Sequence, residues 1–304
     1  MYKSTTLYHL LLITFCFSCS FAFAQNSEKV NYVNENQFRK QLIEKAEYLL
    51  KTKQHKSFAQ IEEEALQLKE NTQSSEKVNL TKPTANKKLE GNVLFNSCKP
   101  GVLSIGRSYK CGGCDLTHTV MWASAFAISE DGVCVTNYHV LHDYITKDDS
   151  TKDKDNFYFV GTSDGHVYPV EKILAYSKDG DAAIFKVNTT GNKLKTLQLG
   201  EPAETGSAVR AITNPTDILY YYTEGVVSGN IQEGGEYSKR MKITADYAAG
   251  SSGAPILNQY GQVIGMVCTT SDVYYEPAKE KWLQMIVKYT IPVCTIKSLI
   301  NSKS

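Results

Sequence analysis

An all-β fold is predicted for the C-terminal two thirds or so of this 304-residue chain, and three observations predict it. Short apolar runs rich in β-branched and aromatic residues recur from about Val93 onward. Turn signals separate them: Glu130-Asp131-Gly132, Asp179-Gly180 and Gln259-Tyr260-Gly261. No long helical pattern intervenes between the runs, which argues against alternating β and α units. The strand candidates are 121–128, 133–136, 157–160, 166–175, 182–187, 208–212, 220–227, 241–244, 263–267 and 285–291. Many short strands of this kind build a barrel or a sandwich. Residues 293–300 follow as a short closing helix.

Upstream, the texture differs. Phe38, Leu42, Ile43, Ala46, Leu49 and Leu50 fall on one helical stripe, and Phe58, Ile61, Ala65 and Leu68 on a second. Residues 25–71 are therefore a helical N-terminal region that caps the domain behind it, with an inhibitory pro-segment as the alternative. Residues 72–92 are polar and aperiodic, the pattern of a linker. At the N-terminus, Lys3 precedes an apolar stretch ending near Phe23, and Ala22-Phe23-Ala24 forms a small-residue cleavage site. This is the layout of a secretory signal peptide over 1–24. A secreted or periplasmic protein is expected, with no stable membrane insertion after signal cleavage.

A formal net charge of +1, with the two signs scattered, gives no electrostatic reason for a nucleic-acid partner. Past the signal segment six cysteines remain: Cys98, Cys111, Cys114, Cys134, Cys268 and Cys294. An even number in an oxidising compartment points to disulfides. The competing reading of Cys98, Cys111, Cys114 and His118 is a structural zinc site. No other metal or cofactor is expected.

Three fragments carry chemistry. Ser252 lies in Gly250-Ser251-Ser252-Gly253-Ala254-Pro255. A serine hydroxyl needs a base to remove its proton and a preformed pocket for the carbonyl oxygen. Glycine two positions earlier lets the N–H groups of Gly250 and Ser252 converge as an oxyanion hole. His139 lies in Val135-Thr136-Asn137-Tyr138-His139-Val140, just past an apolar strand, where a general base has a rigid mount. Asp181 precedes the apolar run Ala182-Ala183-Ile184-Phe185, so its carboxylate is poised for burial and needs a partner such as a histidine N–H.

With those fragments in the order His, Asp, Ser, the domain resembles the trypsin-like serine peptidase superfamily and its bacterial Deg-type branch. Thr136-Asn137-Tyr138-His139-Val140, Asp181-Ala182-Ala183-Ile184 and Gly250-Ser251-Ser252-Gly253-Ala254-Pro255 are similar to the three catalytic motifs. Thr213-Asn214-Pro215 and Thr223-Glu224-Gly225-Val226-Val227-Ser228 are similar to the segment opening the second barrel. The resemblance implies two six-stranded antiparallel barrels over 93–304, preceded by the helical extension and closed by the short helix. It also implies a serine endopeptidase acting on polypeptides. Thr269 and Thr270 would lie on the edge strand that pairs with substrate, and Asp246 at the base of a pocket preferring Lys or Arg. Ser251 replaces an aspartate used in digestive zymogen activation, so maturation by that route is not expected. Neither is the peptide-binding module that Deg-type proteases usually append after this domain. The competing functional reading is a catalytically silent binding protein on a protease fold.

Overall fold

Short strands half-covered by apolar side chains must close on themselves or stack to hide those side chains. In the computed structural model, which describes residues 30, 32–81, 87–110, 113–114, 116–146, 157–216 and 218–301, the strands close. The signal segment expected over 1–24 lies outside the described residues. Residues 34–304 form one unit.

Helix α1 (Glu35–Lys51) starts where the Asn34 side chain accepts the Gln37 N–H at 3.1 Å. Helix α2 (Phe58–Ala65) starts at a reciprocal capping box between Ser57 and Gln60. Leu42 and Ala46 of the first, and Phe58, Ile61 and Ala65 of the second, are buried. These residues belong to the two stripes read from the sequence. The chain then runs along the domain surface as a strap. Asn71 donates its N–H to Tyr176, Ser74 to Leu299, Val78 to Asn301 and Leu89 to Gln259, at 2.8–3.0 Å. Helix α3 (Gly91–Cys98) follows and buries Leu94 and Cys98.

The first barrel comprises β1 (Val102–Lys110), β2 (Thr117–Ala127), β3 (Val133–Thr136), β4 (Phe157–Gly161), β5 (Val167–Ser177) and β6 (Ala182–Val187). Helix α4 (Tyr138–Ile145) follows β3 directly. The hydrogen-bonded order is β1-β2-β3-β6-β5-β4, closed by the pairing of β1 with β4. Leu103, Ile105, Ala125, Val160 and Phe185 fill its interior together with Val140, Leu141 and Tyr144 of α4. Full burial of each large side chain contributes about 1.5–3 kcal/mol.

The second sheet comprises β7 (Ala208–Thr213), β8 (Tyr221–Gln232), β9 (Lys239–Ile243), β10 (Pro255–Leu257), β11 (Val263–Glu276) and β12 (Lys281–Pro292). Its order is β10-β11-β12-β9-β8-β7, and β10 pairs with β7. Val209, Ala211, Val227, Ile243, Ile256 and Val267 lie within. Between the two sheets, Phe126, Val135 and Ile184 meet Ile212, Leu257 and Met266. Helix α5 (Val293–Ser298) packs Val293 and Ile296 into the same cluster. The site described next sits along this seam.

Two strands escaped the sequence reading. In β1, Gly106 and Arg107 interrupt the apolar pattern, but a Cβ on Gly106 would lie 2.2 Å from the Phe159 ring, so close packing requires glycine there. In β10, three residues are too few for periodicity to register.

Candidate active site

His139 stands in the first turn of α4, immediately after β3. Asn137 precedes it, fully buried, and donates its side-chain N–H to the Asp181 carbonyl at 3.0 Å. Asp181 is held at φ +45° at the end of the turn begun at Lys178, whose carbonyl accepts the Asp181 N–H. That left-handed backbone costs about 1 kcal/mol or more for a residue with a side chain, a strain met where surrounding contacts over-determine it.

The carboxylate so placed accepts three donors. His139 Nδ1 lies 3.0 Å from both oxygens, the His139 backbone N–H donates to Oδ1 at 3.1 Å, and the Cys268 thiol donates to Oδ2 at 3.2 Å. A carboxylate only accepts, so Nδ1 of the neutral imidazole carries the proton and Nε2 is left with its lone pair. Asp181 is largely buried while His139 is half exposed, which leaves the open edge of the ring toward solvent.

Ser252 comes from the second sheet, on the turn leading into β10. Gly250 and Gly253 have φ of +89° and +86°. A Cβ on Gly250 would meet the Thr216 N at 2.5 Å, and one on Gly253 would meet the Ser124 carbonyl at 2.1 Å. Both positions need glycine for backbone angle and space together. Ser251 donates its N–H to Ala248, and Gly253 donates to Val267. Among the described residues no acceptor takes the N–H of Gly250 or Ser252. Two unspent donors on either side of Ser251 suit an oxygen that gains negative charge. The Ser252 hydroxyl lies 3.5 Å from the Cys268 carbonyl, and no hydrogen bond to His139 is closed in this conformation.

Side chains not singled out as site residues in the sequence join the two halves. Ser124 of β2 donates its hydroxyl to the Gly250 carbonyl at 3.1 Å and accepts from the Asn214 backbone and side-chain N–H groups. Its backbone N–H donates to Ser252 at 2.8 Å. Asn214 donates further to Leu103 and accepts from Tyr220. Cys268 links the Asp181 carboxylate to the strand beside Ser252. Burial, followed by the Asp181 charge and hydrogen bond, pushes its thiol up to about 12, so it acts as a neutral donor. Arg240 of β9 reaches across to the Asp179 carbonyl at 2.9 Å. No local motif marks Ser124 or Cys268, because their partners are distant in sequence.

Asp246 does not present a free charge. Lys288 Nζ lies 2.8 Å from its carboxylate and holds that carboxyl below its usual range, chiefly by hydrogen bonding. The neighbouring Tyr247 ring is buried, and its hydroxyl lies 3.0 Å from the Thr269 carbonyl and 2.7 Å from that of Tyr289. Thr269 and Thr270 are exposed on β11, just past Cys268.

The expected disulfides are absent among Cys98, Cys134, Cys268 and Cys294. Cys98 ends α3 with its thiol toward the Gly261 carbonyl, Cys134 is inside the first barrel, and Cys268 is committed to Asp181. Cβ atoms on separate elements pointing to different partners cannot close a bond of fixed geometry. Cys111 lies outside the described residues. Of the suggested zinc ligands, Cys114 Sγ and His118 Nε2 are 3.1 Å apart. Cys98 precedes β1 and Cys114 follows it, so the length of that strand, roughly 25 Å at 3.3 Å per residue, separates them. Cys98 therefore does not join that pair.

Residues 123–266 match the family model of the trypsin-like peptidase domain. The chain is 30% identical over 180 residues to the chloroplastic Protease Do-like 5 of Arabidopsis thaliana, covering 57% of this chain and 54% of that protein. It is 27% identical over 186 residues to a protein of Brucella suis named as a DegP-like periplasmic serine endoprotease, covering 60% and 33% respectively. The chain thus spans about half, or less, of the length of these curated relatives. The crystal structure of Deg5 superposes with a TM-score of 0.51 at 26% identity, covering 67% of this chain and 88% of that one. The chain is thus similar over its β domain to the trypsin-like peptidases, with a chymotrypsin-type fold similar to that of Deg protease domains.

Proposed function

We propose that the chain is a serine endopeptidase that hydrolyses peptide bonds through Ser252, His139 and Asp181. One observation carries the reading: a histidine whose Nδ1 is fixed by a buried carboxylate shares a seam with a serine on a glycine turn whose neighbouring N–H groups are unspent.

In this reading His139 Nε2 takes the Ser252 proton as Oγ attacks the substrate carbonyl. The N–H groups of Gly250 and Ser252 receive the oxyanion. Asp181 holds the tautomer and stabilises the imidazolium, which then protonates the leaving amine. Water, deprotonated by the same histidine, releases the acyl group from Ser252. No cofactor enters any step. The exposed Thr269–Thr270 segment would pair with the substrate main chain as an added strand. With Asp246 paired to Lys288, a neutral residue is the better occupant before the scissile bond. We read the architecture as two complete barrels with α1 and α2 as a stabilising extension, and the protein as exported by its N-terminal segment.

Ser252→Ala is expected to lower hydrolysis of casein and peptide esters by about 10⁴-fold or more while leaving the fold intact. Equal rates in variant and wild type would discard the assignment. The silent-binder reading draws on one contact: Ser252 faces the Cys268 carbonyl and not His139. Catalytic hydrogen bonds often close only with substrate bound. A fluorophosphonate probe separates the two readings, since it labels Ser252 only where the triad is competent.

A further inference from the structure

Strand β11 does not stop where the barrel stops. Beyond Val267, which still bonds to Gly253 and Ala254 just ahead of β10, it continues to Glu276, with β12 as its one neighbouring strand among the described residues. The register runs from Thr269↔Tyr289 through Val273↔Met285 to Glu276↔Lys281, so a two-stranded ribbon stands out from the barrel. Among the described residues, no strand pairs with the long edge of β11 away from β12 over this stretch. An unpaired edge of that length is a template for another strand unless something blunts it. Here charge sits at the tip, at Glu276, Lys279, Glu280 and Lys281, and along one face, at Asp272 and Lys288.

The two faces of the ribbon differ. Residues directly opposite in register share a face, and alternate residues along a strand return to it. Val273 and Met285 face the same way, with Val287 one step toward the barrel. Tyr275 and Trp282, whose rings lie 5.9 Å apart, extend the row toward the tip. Tyr275 is 72% exposed, Trp282 62% and Met285 57%. The other face carries Asp272 and Tyr274, joined by a hydrogen bond, so one face is an apolar stripe and the other is mixed.

We propose that this ribbon is an extended binding site for the substrate polypeptide, taking an apolar segment N-terminal to the scissile bond. The proposal rests on the protease reading above for the identity of its ligand. Its direction follows from geometry. β11 runs away from Ser252, starting at the Cys268 carbonyl beside the nucleophile. Every pairing between the six strands of this sheet is antiparallel, and a chain added to β11 in the same sense runs toward Ser252. The part alongside the ribbon therefore precedes the cleaved bond. From Thr270 to Glu276 the edge offers roughly 20 Å, enough for about six extended residues. Every second side chain of the guest then lies over the Val273–Tyr275–Trp282–Met285 stripe. A second copy of the chain fits less well. The four exposed side chains of the stripe, Val273, Tyr275, Trp282 and Met285, fall short of the about 800 Å² that each partner of a stable interface buries.

The test uses the full chain carrying Ser252→Ala and fluorescent peptides of one sequence, read by anisotropy. One peptide has four residues before the scissile bond; a second has ten, with Leu or Val at alternate upstream positions; a third has ten, with Ser or Asn there. The apolar ten-residue peptide is expected to bind at least tenfold more tightly than either other. Adding Trp282→Ser and Met285→Ser should abolish that preference. Fluorophosphonate labelling of Ser252 in the same double variant, with Ser252 restored, reports whether the site remains folded. Equal affinity for the three peptides, or an unchanged preference in the double variant, would overturn the proposal. A dimer that the double variant dissociates, without any effect on peptide binding, would assign the ribbon to self-association and also overturn it. Absence of labelling in the wild type would count against the protease reading alone, because peptide binding needs no turnover.

Discussion

The two sheets divide the work unequally. The first is wrapped: α1 and α2 cover one side, α4 is packed into its interior, and its strands are buried along most of their length. The second keeps exposed strand, with β8 alternating toward solvent and the β11–β12 ribbon projecting from it. His139 and Asp181 belong to the wrapped half, and Ser252 with the adjoining edge strand belongs to the open one. In the proposed reading the contrast teaches that the proton-handling pair is held in the more deeply buried sheet, while the groups that meet a polymer lie where a strand can be added. Direct bonds across the seam, from Ser124 to Gly250 and Ser252 and from Cys268 to Asp181, keep the halves in register.

The comparison can be tested from either side. Asp181→Asn removes the negative charge and replaces one carboxylate oxygen facing His139 Nδ1 by an NH2 donor, which favours the wrong tautomer, and should lower kcat/KM for peptide esters by about 10⁴-fold with little change in KM. A loss tenfold or smaller would mean that the wrapped half is only scaffolding. Gly253→Ala attacks the seam, since its Cβ would sit 2.1 Å from the Ser124 carbonyl at a backbone angle that favours glycine. A stability loss of about 3 kcal/mol or more in urea unfolding is expected, with activity lost as well. Ser124→Ala is milder: it leaves Asn214 donors without their acceptor and should cost about 2 kcal/mol.

A pH series separates the halves further. In the unfolded chain a thiol titrates near about 8.5. Burial raises Cys98 to about 11 and Cys268 to about 12, and raises Cys134 too. Above the unfolded value the unfolded chain sheds protons that the folded one keeps, so stability falls as pH rises. Each buried thiol contributes a slope approaching about 1.4 kcal/mol per pH unit until its folded value is reached. Urea midpoints at pH 8 and pH 10 measure this, and Cys134→Ala should make the slope shallower. The smallest expected effect is on the open side. Asp246→Asn should leave the ratio of cleavage after Lys to cleavage after Leu within about twofold, because Lys288 already pairs that charge.

Much of the fold was legible in the sequence because its strands are bounded by turn residues and buried on at least one face. Runs such as 133–136 and 182–187 coincide with β3 and β6 for that reason. The ribbon was not legible: 263–267 was read where β11 reaches Glu276, since residues 269–276 protrude into solvent and carry no core-facing alternation. Helix α4 likewise has no counterpart among the elements read from the sequence, although Val140, Leu141 and Tyr144 are buried. At the site, His139, Asp181 and Ser252 sit in local motifs whose flanking residues have their own structural reasons. Cys268, Ser124 and Asn214 act through partners from 87 to 126 residues away, and spacing carries no trace of such contacts.

The strap that ties Ser74 to Leu299 and Val78 to Asn301 has a kinetic consequence. Its partners lie more than 200 residues downstream, so these contacts close a very long loop and raise the contact order of the whole domain. During synthesis the N–H groups of Ser74 and Val78 have no partner until α5 has emerged, although Asn71 meets Tyr176 earlier. Refolding should therefore be slow and end with strap docking, so that a chain interrupted before α5 stays incompletely folded and an easy target for quality control.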